Sequence, residues 1–155
     1  MKFRSWIQRC FIAIVVFVLV SFIRSCDADP TQGQLFSTLS VMRTDMDEVE
    51  QAGGLVVSYD NNDKTTFARV YLLLTVDAVG QSQELSEKYK DVLVSRDWTL
   101  VNGASGRFEL CKQGASASVL VSQDRERVAV GMTFDAASIS KCREHRRSEM
   151  GGSAA

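Results

Sequence analysis

The chain has 155 residues, 45% hydrophobic and 24% charged, which suits one small globular domain once an apolar N-terminal segment is set apart. All 19 acids lie at or beyond Asp27, whereas Lys2, Arg4, Arg9 and Arg24 precede it, so residues 27 to 155 carry the remaining 14 of 18 bases against 19 acids, a net of -5. Such a domain is repelled by phosphate backbones and by anionic lipid, which argues against nucleic-acid binding unless a local patch overrides the total.

From Cys10 to Ile23 the chain reads CFIAIVVFVLVSFI, uncharged and preceded by Lys2, Arg4 and Arg9. This is the basic-then-apolar pattern of an export signal. A helix rises about 1.5 Å per residue and needs about 20 residues to cross a bilayer. The apolar run alone is too short, but Ser5 to Arg24 suffices if Arg9 snorkels and Trp6 sits at the interface. Residues 1–26 therefore read as a signal anchor, a single transmembrane helix. With three bases before the run and only Arg24 after it, the N-terminus is expected in the cytoplasm and the domain in the periplasm of a bacterial inner membrane. Two other fates stay open: cleavage after Ala28, and lipidation at Cys26, where Ile23-Arg24-Ser25-Cys26 partly matches a lipobox.

Asp27 to Gln34 holds the only proline and reads as a linker. Leu35, Leu39, Met42, Met46 and Val49 then recur at helical spacing up to Gly53-Gly54, within a 27–52 segment of linker and short helix. A helix packed on its own domain is favoured over a dimerising stalk, because about two heptads do not sustain a coiled coil. The extracytoplasmic domain is expected over 53–147, with 148–155 as a disordered tail.

Leu55 to Tyr59 predicts a strand, Asp60-Asn61-Asn62-Asp63 a turn, and Thr66 to Val76 a central strand covered on both sides. Ser82 is placed as the cap of a helix whose face carries Leu85, Tyr89, Val92 and Leu93. Period-two alternation follows through Phe134, with turns at Asn102-Gly103 and at Asp124-Arg125-Glu126, giving an antiparallel meander. The small residues Ala129, Gly131 and Thr133 share the last strand's second face and permit close approach. The fold class is thus α+β: about five to six antiparallel strands packed on one main helix, with room for a second.

Parity sets Cys111 opposite Phe108 and Leu110, on the face the main helix leaves bare. A returning stretch from Ala136 to His145 would bring Cys142 over it, so a Cys111–Cys142 disulfide is expected, closing a loop of about 30 residues worth on the order of 3 kcal/mol. Cys10 stays in the membrane on this reading.

The remaining motifs are weak. His145 is the only histidine, and Cys142-Arg-Glu-His145 with Cys111 lacks the paired spacing of zinc modules. The Asp60-Asn62-Asp63 cluster lacks the glycine and closing glutamate of a calcium loop. Ser138-Ile-Ser-Lys141 matches a Ser-x-x-Lys pattern without its companions, and Gly103-Ala-Ser-Gly106 joins two strands without a Lys-Ser/Thr. No cofactor or metal is assigned. Lys141, Arg143, Arg146 and Arg147 form a basic cluster that could touch anionic lipid or an acidic partner, with a solvated helix end as the favoured reading.

Around Tyr89-Lys-Asp-Val-Leu93-Val-Ser-Arg-Asp-Trp98 the helix-to-strand junction resembles small bacterial membrane-anchored or lipoprotein domains of unassigned function, in which a Gly-Trp pair opens the strand. Here Asp97 replaces that glycine. The resemblance covers roughly Phe67 to Phe134 and implies the compartment and the α+β class, with no activity attached. Tyr89, Leu93, Trp98 and Phe108 are expected in the core. The function expected is a non-enzymatic binding or accessory module of the envelope, partnered with the membrane and with another envelope protein. Its alternatives are an immunity-type protein that neutralises a periplasmic toxin and a hydrolase using carboxylates such as Glu109 and Glu126.

Overall fold

The computed structural model describes residues 29–62, 68–124 and 126–152. The anchor, Cys10, Cys26, Asp63 to Phe67 and residues 153–155 lie outside them. Among the described residues, no helix is long and apolar enough to cross a membrane.

Helix α1 (Gln32–Gln51) starts two residues after Pro30, earlier than the linker reading implied. Its start is fixed by a capping box: the Gln34 N–H donates to Thr31 Oγ1, and Gln34 Oε1 accepts from the Thr31 N–H at 2.9 Å. The helix packs on its own domain, with Leu35, Leu39, Met42, Met46 and Val49 all buried.

Six antiparallel strands follow: β1 (Leu55–Asn62), β2 (Val70–Asp77), β3 (Thr99–Ala104), β4 (Arg107–Lys112), β5 (Ala115–Val121) and β6 (Arg127–Phe134). Their spatial order is β1-β2-β6-β5-β4-β3, so β1 and β3 are the edges. Helix α2 (Ser82–Ser95) joins β2 to β3, and helix α3 (Ala136–Gly152) follows β6. The meander from β3 to β6 is therefore as expected, and β2 returns to pair with β6, Val70 opposite Phe134.

Alternation divides the sheet's faces. Val70, Leu72, Leu74 and Val76 of β2, Val128, Val130, Met132 and Phe134 of β6, Ala117 and Val119 of β5 and Phe108 and Leu110 of β4 are buried. They form one core with α1 and α2, where Tyr89, Leu93 and Trp98 are also buried. The second face is covered only in part, by α3 over β5 and β6.

Several local expectations are corrected. β2 is not covered on both sides, since Leu73 on its outer face is 37% exposed. β1 runs on through Asp60-Asn61-Asn62 because those residues continue to pair with Leu73, Leu72 and Tyr71. Asn102-Gly103 does not turn but pairs with Glu109 and Phe108, and the chain reverses at Ser105-Gly106, where Gly106 takes φ +76°. A register shift between Leu100 and Asn102 breaks the alternation of β3, and Leu100 faces solvent. Gln81, not Ser82, is the N-cap residue of α2, while Ser82 is buried in the first turn. The helix α3 continues through Ser148 to Gly152, where a tail was expected.

Candidate functional site: an apolar edge, a disulfide-lined cleft and a buried carboxylate

Strand β1 is the most unusual surface. An edge strand leaves alternate backbone N–H and C=O groups without a neighbour, and proteins commonly guard such edges with charges or proline. From Leu55 to Tyr59 this edge carries neither. Leu55 is 71% exposed and Val57 51% exposed, with Val56 and Tyr59 also exposed. The register shift between Val56 and Ser58 sets Val57 out of step with β2. Tyr59 lies within electrostatic reach of Asp47, Arg43 and Glu50 on α1; burial first, then the nearby acids, raises its pKa. Phe36 lies on the same helical stripe as Arg43, Asp47 and Glu50 and is exposed too.

The root of this edge is closely packed. Gly53 and Gly54 adopt φ +119° and +96°, and a Cβ on Gly54 would stand 2.3 Å from a Val76 methyl carbon. The Tyr89 hydroxyl donates to the Gly53 carbonyl at 2.5 Å, and burial pushes the Tyr89 pKa up to about 12.

At the opposite edge of the sheet the Cys111–Cys142 disulfide is present, with the Cα atoms 5.7 Å apart. It lines a cleft of about 260 Å³ together with Asp97, Thr99, Lys112, Gln113, Gly114, His145, Arg146 and Glu149. Asp97 and Gln113 are the described non-glycine residues with positive φ, at +66° and +51°, and both line this cleft. Asp97 thus adopts the backbone conformation that the glycine of the resembled pattern would supply. Charges of both signs meet here, and His145 Nε2 stands 3.4 Å from Glu149 Oε1.

Beside the cleft, Asp45 is fully buried on α1, and its carboxylate accepts from three elements. Arg96 Nε at the end of α2 donates at 2.9 Å, Trp98 Nε1 before β3 at 2.9 Å, and Lys112 Nζ at the end of β4 at 2.7 Å. Burial raises the Asp45 pKa, but these three hydrogen bonds and the Lys112 charge outweigh it and hold the carboxyl below its ordinary value. Every partner belongs to the fold, so the group joins elements rather than awaiting a substrate. This hub was missed from the sequence, although the signal was there: Asp45 falls on the inward arc with Met42, Met46 and Val49.

The other expected residues have ordinary partners. Ser138 is spent on capping α3: its N–H donates to Asp135 Oδ1, and its Oγ accepts from the Asp135 N–H. Lys141 is bound to Glu109 at 2.9 Å. Glu109 stands mid-strand on the second face, while Glu126 lines a recess with Glu84 and Asp124 at the far end of the sheet. The structure does not gather these two carboxylates. Both cysteines of the zinc reading are in the disulfide, and no metal-binding cluster occurs among the described residues. The candidate lipidation site Cys26 lies outside the described residues.

Comparisons with protein-family models, with curated proteins and with solved structures found no match.

Proposed function

We infer that the chain is a membrane-anchored binding or accessory module of the bacterial envelope, acting through protein contacts at the β1 edge. The observation that carries this reading is the uncharged, exposed run from Leu55 to Tyr59 on an edge strand whose one neighbour is β2. Its occupant is an extended segment of another envelope protein that adds to the sheet as a further strand, with backbone hydrogen bonds for affinity and Leu55, Val57 and Tyr59 for side-chain contact. Lipid is a poor alternative occupant. Leu55 pairs with Asp77, whereas Asp29 lies beside Arg69 at the other end of β2, roughly 25 Å away at about 3.3 Å per residue. An anchor leading into Asp29 holds the apolar end away from the bilayer.

Photocrosslinking in the native membrane tests this. A photoreactive residue at Leu55 or Val57 should capture one and the same protein, and Val57→Lys should abolish capture, while a probe at Arg107 captures nothing. Equal capture from all three positions would remove the reading. An exported toxin as the captured species would favour the immunity-type alternative.

A further inference from the structure

We propose that the segment added to β1 carries a lysine or arginine opposite Tyr59, where the Asp47 and Glu50 carboxylates of α1 receive its charge. The inference rests on the strand-addition reading above and specifies the chemistry of the partner.

The first observation is which way the side chains of β1 point. Residues paired across a sheet share a face. Tyr59 pairs with Leu74 and Asn61 with Leu72, and both leucines are buried in the core beneath α1 and α2. Ser58 and Asp60 pair with Thr75 and Leu73 and so belong to the second face. A new strand beside β1 therefore sends alternate side chains to the α1 side. The one opposite Tyr59 starts about 5 Å from the Tyr59 Cβ.

The second observation is the charge on that side. Arg43, Asp47 and Glu50 recur on one exposed stripe of α1, all within electrostatic reach of Tyr59. Arg43 already has a partner. The Asp47 and Glu50 carboxylates make no hydrogen bond or ion pair among the described residues. Elsewhere along the strand, Asp77 stands opposite Leu55, and Asp60 accepts from the neutral Tyr71 hydroxyl and keeps its charge. At its root, Lys88 Nζ lies 3.9 Å from where a Cβ on Gly53 would stand. Four acids against Arg43 and Lys88 leave -2 along the edge.

The third step is the side chain that answers this arrangement. It has to pass an aromatic ring and end in a positive charge. Lysine and arginine lay an apolar stem along the ring, place the cation against it and reach the carboxylates beyond. A glutamate there meets like charges. A second copy of this chain brings the same -2 to the seam, so it is the poorer occupant. Toward the Leu55 end the neighbours on this face become apolar, and the partner's next inward residue should be apolar as well.

The test uses the full chain in phosphatidylcholine nanodiscs and a blocked peptide, Thr-Val-Thr-Lys-Thr-Val-Thr, whose pattern reads the same in both directions. Binding is read from the amide resonances of β1, alongside peptides with glutamine or glutamate in place of the lysine. At low salt the lysine peptide should bind about ten-fold more tightly than the glutamate peptide, with glutamine between them. Asp47→Lys/Glu50→Lys should reverse that order, whereas Glu144→Lys/Glu149→Lys, the same charge change on α3, should preserve it. Equal affinities, or an order that Asp47→Lys/Glu50→Lys leaves unchanged, would overturn the basic-partner proposal and leave strand addition standing. No β1 shift with any peptide would overturn both readings. Shifts that follow the concentration of the chain itself would assign the edge to a second copy and overturn the proposal.

Discussion

The helices α1 and α3 lie on opposite faces of one sheet and are held there by different means. Five large apolar side chains of α1 are buried, and Asp45 ties it to residues 51, 53 and 67 positions later in the chain. The fully buried positions of α3 are Ser138 and Cys142, and its fastenings are a cap, the Lys141–Glu109 pair and the disulfide. A helix with an apolar stripe is stabilised by what it removes from water. One without such a stripe needs a bond that limits how far the unfolded chain can leave.

Removing the Asp45 carboxylate should break the first arrangement most sharply. Asp45→Ala leaves Lys112 and the Trp98 N–H without their acceptor, and we expect a loss of roughly 3 to 5 kcal/mol in urea unfolding. A loss under 1 kcal/mol would mean that the α1 stripe alone seats the helix. The pH dependence carries its own sign. Because the folded carboxyl titrates below its ordinary value, its contribution is present above that value and is lost as pH falls through the lower, folded one. Near-UV circular dichroism from Trp98 should report this acid transition, and Asp45→Asn should lack it.

The disulfide is the matching test on α3. Cys111→Ser/Cys142→Ser opens a loop with a sequence separation of 31, for an expected cost of about 3 kcal/mol. More telling is where the loss appears: amide exchange should accelerate across α3 while α1 and α2 keep their protection. Uniform acceleration would show that the two faces fold as one unit.

How much of this was legible beforehand depends on the type of signal. The α1 stripe, the core role of Tyr89, Leu93, Trp98 and Phe108, and the disulfide all follow from periodicity and parity, which act within one element or across one face. The end of β1 and the reversal after β3 were misplaced because Asp60 to Asn62 and Asn102-Gly103 are turn-prone residues held in strands by their partners, Leu73 to Tyr71 and Glu109 with Phe108. The Asp45 hub depends on which elements meet at one point, which no single periodicity reveals. The bare β1 edge depends on strand order: β1 is left outermost because β2 takes β6 as its other neighbour.

The smallest expected effect concerns Asp97, at the junction linking the Asp45 hub to the disulfide-lined cleft. At φ +66° an aspartate is strained where glycine is not, so Asp97→Gly should raise stability by about 1 kcal/mol or less. Thermal unfolding measures it, and a lower melting temperature would show that the Asp97 side chain has a role in the cleft beyond its backbone.

The double-glycine joint before β1 bears on how fast a partner could be captured. Gly54 fits against Val76 with no space for a methyl group, and the Tyr89 hydroxyl grips the carbonyl just ahead. The start of the edge is therefore held in strand geometry before any encounter, and an incoming segment has only its own backbone to order. Association should then proceed at a rate set by collision and alignment, with affinity among edge variants differing mainly in how long the complex lasts.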